Sequence, residues 1–210
     1  ERMQVAQGAL RQGVLYDLLD RELPDTDLRA VTVRALMQRF AVDTAQAERV
    51  ARVANQLFVQ VAPANSERAA RKLDWAARLH EIGCRISHDG YPRHGAYILD
   101  NTDAAGFAQP ELHLLGQLVQ GQRGKVRKLD ADLTDVQFTT QLLCLRLALA
   151  LCHARHNPDM EGMTLTRYGD TFNFVARSGW AATFPQSTHL LEEEADAWQK
   201  TPWTLTLDLQ

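Results

Sequence analysis

Apolar residues recur at helical spacing through the first two thirds of the chain, and this pattern predicts a helical fold. Asp43 with Gln46 three residues later makes a capping-box-like helix start, while prolines and glycines stand at several predicted helix ends. The predicted helices are Gln4 to Asp20, Asp25 to about Phe40, Asp43 to Pro63, Ser66 to Gly83, Pro92 to Asp100, Pro110 to Gly121 and Asp135 to about His156. We therefore expect about seven helices in this part of the chain.

The pattern changes after residue 157. Apolar and polar residues alternate from Met163 to Arg167 and from Phe172 to Ala176, on either side of a turn at Gly169, which predicts a β-hairpin. An acidic helix from Ser187 to Lys200 and a last strand from Trp203 to Leu209 complete the prediction. The expected fold class is mainly α, with a helical domain over residues 1–157 and a small α+β unit over residues 158–210.

Composition excludes several classes of protein. The 210 residues are 45% hydrophobic and 23% charged, which is ordinary for a globular chain, and no apolar run reaches the ~20 residues of a membrane helix. A net charge of −3 argues against a surface made positive for nucleic acid. The sequence begins at Glu1 without an initiator Met, so we expect a part of a longer protein.

The three cysteines are predicted to be buried thiols. Cys84, Cys144 and Cys152 are odd in number, lack CxxC spacing and have apolar neighbours. This usage favours reduced cysteines over a disulfide or a zinc site. The expected location is therefore cytoplasmic, with no membrane partner.

The stretch LHEIGCRISHDGYPRHG concentrates histidines around a helix end and a loop. It is similar to the metal-binding run of HD-type phosphohydrolases, but Glu81 follows His80 where those enzymes have an Asp. Arg146 lies on the late helix where they carry another Asp, and a guanidinium cannot bind a cation. We expect His80, Glu81, His88 and Arg146 to mark a degraded HD motif without a metal. His80 and Glu81 are expected to make structural hydrogen bonds.

No complete catalytic constellation appears in the sequence. P-loop, GxGxxG, GxSxG and paired CxxC signatures are lacking, so no catalytic residue is predicted. One enzyme alternative stays open, a stand-alone HD-type metal phosphohydrolase that would use His80, Glu81 and His88.

The stretch GQRGKVRKLD is basic in a chain of negative net charge. Arg123, Lys125, Arg127 and Lys128 precede the next acid, Asp130. Arg and Lys side chains are complementary to phosphate oxygens, so the stretch is a candidate polyanion site. A solvated loop without a ligand explains the same charges equally well.

Three stretches carry a resemblance to the C-terminal part of the exopolyphosphatase/guanosine pentaphosphate phosphatase (Ppx/GppA) family. They are GALRQGVLYDLL, WAARLHEIGCRISHDGYPRHGAYILDNTDAAGF and LVQGQRGKVRKLD, and weaker similarity extends over nearly the whole chain. A Glu after the central His and a late-helix Arg are usual in that family. The chain departs from it at Gln122, where a His usually precedes the Arg.

The resemblance implies a division of labour within a longer enzyme. Full-length members carry N-terminal actin-like ATPase-type domains, whose acidic residues and magnesium hydrolyse the phosphoanhydride. Their C-terminal half is an HD-like helical domain with a small extra domain, which helps form dimers and a basic channel for polyphosphate. This segment alone is therefore expected to be inactive and to hold no cofactor, with Mg required by the full-length enzyme.

The main functional prediction is the C-terminal, non-catalytic part of an exopolyphosphatase, which releases terminal phosphate from inorganic polyphosphate. Its expected partners are polyphosphate, its own N-terminal catalytic domains and a second copy in a homodimer, with no specific nucleic acid. The predicted polyphosphate contacts are Arg123, Lys125, Arg127, Lys128 and His94. Alternatives are the same region of a guanosine pentaphosphate phosphatase and a ligand-free dimerisation module.

Overall fold

The computed structural model describes residues 28–209, in which helices precede a small sheet. Helices α1 to α6 are Leu28–Arg39, Thr44–Val61, Glu67–Arg78, Tyr91–Asp100, Gln109–Gly121 and Val136–Leu151. Two short 3-10 turns, Ile82–Arg85 and Val126–Lys128, follow α3 and α5. The predicted helix from Gln4 to Asp20 and the Asp25 cap lie outside the described residues.

The C-terminal unit combines three strands with two helices. Its elements are β1 (Thr164–Tyr168), β2 (Thr171–Val175), α7 (Trp180–Thr183), α8 (Pro185–Trp198) and β3 (Thr204–Asp208). The predicted hairpin is present, since β1 and β2 pair antiparallel, while β3 adds parallel to β2. The expected fold class, mainly α with a small α+β unit, is confirmed.

Aspartates start the two helices at the centre of the fold. The Asp43 carboxylate accepts from the backbone N–H of Gln46 at 3.1 Å, as its N-cap position before α2 predicts. Asp135 does the same for the N–H groups of Gln137 and Phe138, at 2.8 and 3.2 Å. Helix α6 is buried over most of its length, because its side chains are apolar nearly all round.

Two helices end earlier than predicted. Helix α3 stops at Arg78 rather than near Gly83, because the chain turns there to bring Gly83 against α4. A Cβ at Gly83 would lie 2.0 Å from the carbonyl oxygen of Tyr91, so this approach requires glycine. Helix α6 stops at Leu151 rather than His156, and the chain then passes through a left-handed residue, Arg155, with a φ of 58°.

The sheet packs on the helices through one continuous apolar core, which includes Phe172 and Trp198. Polar contacts add to it: Trp203 donates from Nε1 to the carbonyl oxygen of Leu133 at 2.6 Å. The domain boundary near residue 157 stays a prediction. Within residues 28–209, no helix has the length and apolarity needed to cross a membrane.

Candidate functional site

The turn after α3 places His80 in the interior, with 1% of its surface exposed. Its Nδ1 lies 2.6 Å from the carbonyl oxygen of Ala77. Because a carbonyl oxygen only accepts hydrogen bonds, Nδ1 carries the proton and Nε2 keeps a lone pair in the neutral ring. Burial lowers the pKa of His80, so the neutral ring is favoured in the folded protein.

Glu81, the neighbour of His80, is paired with Arg155. The Arg155 guanidinium donates from Nη2 to Oε1 of Glu81 at 2.5 Å and from Nη1 to Oδ2 of Asp43 at 2.8 Å. Backbone hydrogen bonding from Gln46, with the Arg155 charge as a further cause, lowers the pKa of Asp43. Arg155 therefore links the end of α6 to the start of α2 and to the turn after α3.

Arg146 is a buried cation of α6, with 5% of its surface exposed. Its Nε and Nη2 donate to the two carboxylate oxygens of Glu194 at 2.5 and 2.8 Å. It also donates to the carbonyl oxygens of Gly121 at 2.5 Å and Gly124 at 3.0 Å. The Trp198 indole donates to Glu194 at 2.6 Å. This network ties α6, α8 and the basic loop together.

These contacts do not fit an HD-type metal centre. The carboxylate of Glu81 is neutralised by a guanidinium, and Arg146 brings a positive charge where such a centre needs an anionic ligand. In the part of the chain that the structure describes, no three His, Cys, Asp or Glu side chains are grouped so that they could hold a metal. The described residues thus give the stand-alone metal phosphohydrolase no ligand set.

The basic stretch forms a loop after α5 with a well-anchored backbone. Buried Gln122 donates from Nε2 to the carbonyl oxygens of His80 and Val119, both at 2.7 Å. Gly124 has a φ of 80°, a conformation that glycine adopts without strain, and buried Val126 anchors the 3-10 turn. The four exposed cations of this loop are Arg123, Lys125, Arg127 and Lys128.

Part of this loop lines a cavity of about 300 Å³ beside the start of α4. Asp89 is the one acidic residue among those that line it within the described chain. The four cations that line it, here called the basic pocket, are Arg93, Arg123, Lys125 and Lys128. Arg127 and His94, two of the predicted contacts, are not among the lining residues. The cavity concentrates positive charge where a phosphate group would fit.

Arg123 also lines two neighbouring cavities. One, of about 400 Å³, is lined by His80, Glu81 and Arg146, which are positions of the degraded HD motif. The other, of about 560 Å³, contains His88 with Glu81. Arg123 therefore lines all three cavities, at the place where the basic loop meets the degraded HD motif.

Two residues of these cavities were missed by the sequence analysis. Arg93 stands beside the predicted contact His94, and the turn of α4 directs it to the basic pocket instead. The sequence signal that could have identified Arg93 is its position directly before the predicted contact His94. Arg155 was missed because the late helix was predicted to continue to His156, whereas it ends at Leu151.

Comparison with known proteins gives the family. Residues 28–195 match the model of the Ppx/GppA phosphatase family, domain III. The chain belongs to this family.

Curated relatives give a more particular likeness. Guanosine-5'-triphosphate,3'-diphosphate pyrophosphatases of Pseudoalteromonas translucida, Vibrio cholerae and Aeromonas hydrophila are 32%, 33% and 36% identical to the chain. Each match covers 99% of the chain and 43% of the relative. The chain thus spans less than half the length of these relatives.

Proposed function

We propose that this chain is the C-terminal, phosphate-binding part of a guanosine pentaphosphate phosphatase. The observation that supports phosphate binding most is the basic pocket, in which four cations surround a small cavity. The chain is also similar to enzymes named for that activity. The relatives favour this alternative over the exopolyphosphatase expected from the sequence. In either case the ligand is a run of phosphate groups.

Charge and anchoring both support phosphate binding at the basic pocket. Four cations face one carboxylate, and Arg and Lys form charge-assisted hydrogen bonds to phosphate oxygens. The backbone that carries Arg123 is fixed on both sides, because Arg146 binds the carbonyl oxygens of Gly121 and Gly124. A fixed backbone lowers the entropy lost when a ligand binds.

In this proposal the bond is broken elsewhere in the longer protein. The charged side chains around His80 are engaged with one another, and the described residues offer no metal ligand set. Hydrolysis and its magnesium are assigned to the part of the enzyme that this chain does not span. The chain alone is expected to bind phosphate groups without cleaving them, and dimerisation stays a prediction.

Inorganic polyphosphate is the second candidate ligand, and the lining of the pocket supports it. The described residues that line the basic pocket include no aromatic ring, and their guanidinium and ammonium groups suit phosphate oxygens. We therefore assign the pocket to phosphates alone. It would hold the phosphates of either substrate.

The test uses the full-length enzyme with Arg123, Lys125 and Lys128 all changed to Gln. Because the pocket binds substrate and takes no part in the chemical step, KM for guanosine pentaphosphate should rise well beyond the roughly tenfold expected for one lost contact, while kcat changes little. Arg34→Gln, which removes an exposed cation from α1, serves as the charge control. An unchanged KM in the triple variant would refute the assignment.

Substrate choice is measured on the unchanged full-length enzyme. The proposed activity is supported if the enzyme cleaves guanosine pentaphosphate faster than inorganic polyphosphate when both substrates are present at the same molar concentration of molecules. The reverse preference would return the protein to the exopolyphosphatase predicted from the sequence.

A further inference from the structure

A second cluster of cations lies apart from the basic loop. It surrounds a cavity of about 430 Å³, and none of the residues that line it lines the three cavities described above. Its three guanidiniums come from α2 and the end of α3, and the residues here called the arginine pocket are Arg49, Arg52 and Arg78. Glu48 and Asn157 also line it.

Neutral groups hold two of these arginines in place. Arg49 donates from Nη1 to the side-chain oxygen of Gln46, and Arg52 donates from Nη2 to Oδ1 of Asn157 at 2.5 Å. Within residues 28–209, neither guanidinium has a carboxylate within ion-pair distance. Amide partners fix the side chains but leave both positive charges uncompensated.

The remaining contacts leave the cluster positive. Arg78 is bound to Asp74 at 2.7 Å, so its charge is balanced locally. The Nε–H of Arg49 is buried and has no acceptor, which is costly for a charged donor. The positive charges of Arg49 and Arg52 beside one cavity repel each other, and a bound anion would relieve this repulsion.

We propose that the arginine pocket is a second anion site, which binds a small oligophosphate. Guanidinium groups match phosphate oxygens in geometry and charge, and a cavity of this volume accommodates a few linked phosphates rather than a folded partner. Arg52 and Arg49 supply the attraction, and Glu48 weakens it. The proposal is independent of the function assigned to the basic pocket.

Inorganic tripolyphosphate is the probe, and calorimetry of the chain is the measurement. The basic pocket is first neutralised by changing Arg123, Lys125 and Lys128 to Gln, so that remaining binding reports on the arginine pocket. In this background one equivalent should still bind. Adding Arg49→Gln and Arg52→Gln should lower its affinity at least about tenfold, the loss expected for charge-assisted hydrogen bonds.

A gain of affinity separates a binding site from damaged folding. Glu48→Gln removes the acid that opposes the anion and should tighten tripolyphosphate binding a fewfold, an effect that a destabilised chain would not produce. Arg34→Gln should leave the affinity unchanged. The proposal fails if the neutralised background binds no tripolyphosphate, or if Arg52→Gln weakens binding no more than Arg34→Gln does.

Discussion

Arg146 and Glu194 show why the late helix carries a charge in an otherwise apolar sequence. Both side chains are nearly buried, and each has hydrogen bonds beyond the pair, to two loop carbonyls and to the Trp198 indole. A buried ion pair gives little net stability compared with apolar residues, but losing one partner is costly. The pair therefore serves to position the basic loop against α6 and α8.

Changing Glu194 to Gln should destabilise the chain by about 3 kcal/mol, because the Arg146 charge stays buried without its counter-ion. The measurement is the free energy of unfolding from urea denaturation. Glu192→Gln, an exposed neighbour on α8, should change it by less than about 0.5 kcal/mol. Equal effects of the two substitutions would contradict the role given to the pair.

His80 makes stability depend on pH in a defined direction. Burial lowers the pKa of His80 in the folded protein below its ordinary value, so the unfolded chain binds the proton more readily. The contribution of His80 to stability is therefore fully present above about pH 6.5 and is lost as the pH drops through and below that value. We expect His80→Gln to show a shallower loss of unfolding free energy between about pH 7 and 5. Parallel pH profiles of the two proteins would exclude His80 as the cause.

At the scale of elements, the starts of α2 and α6 were predictable, whereas the ends of α3 and α6 were not. Asp43 and Asp135 act through their own sequence neighbours, so their caps could be read from the chain alone. The end of α3 depends on Gly83 meeting the backbone of α4, a contact between segments that sequence periodicity does not contain. The early end of α6 also depends on contacts between distant segments, since Arg155 is bound by Asp43 and Glu81.

The cap of α6 gives a test at this scale. Asp135→Ala removes the acceptor for two backbone N–H groups and should lower the unfolding free energy by about 1 kcal/mol. Asp135→Asn keeps an acceptor at the same position and should cost much less. Thermal or urea unfolding distinguishes them, and equal losses would show that the effect comes from charge rather than capping.

For the whole molecule, the fold class and the family were predictable from the sequence. The residues that line the candidate pockets were predictable only in part. Arg123, Lys125 and Lys128 are close together in the sequence and line the basic pocket, while their role as phosphate contacts stays a prediction. Arg93 and the arginine pocket needed the packing of helices far apart in the chain. Substrate choice stays a proposal, because the main prediction from the sequence is polyphosphate and the curated relatives are named for guanosine-5'-triphosphate,3'-diphosphate.

The central claim is that the basic pocket, rather than the loop's charge in general, binds phosphate groups. Lys125 and Arg127 form a matched pair, since both are exposed cations of the same loop and only Lys125 lines the cavity. The deciding measurement is the affinity of the chain for guanosine pentaphosphate at fixed salt in Lys125→Gln and Arg127→Gln. The claim predicts a loss of about tenfold or more for Lys125→Gln and less than about twofold for Arg127→Gln. Equal losses, or none in either variant, would contradict it.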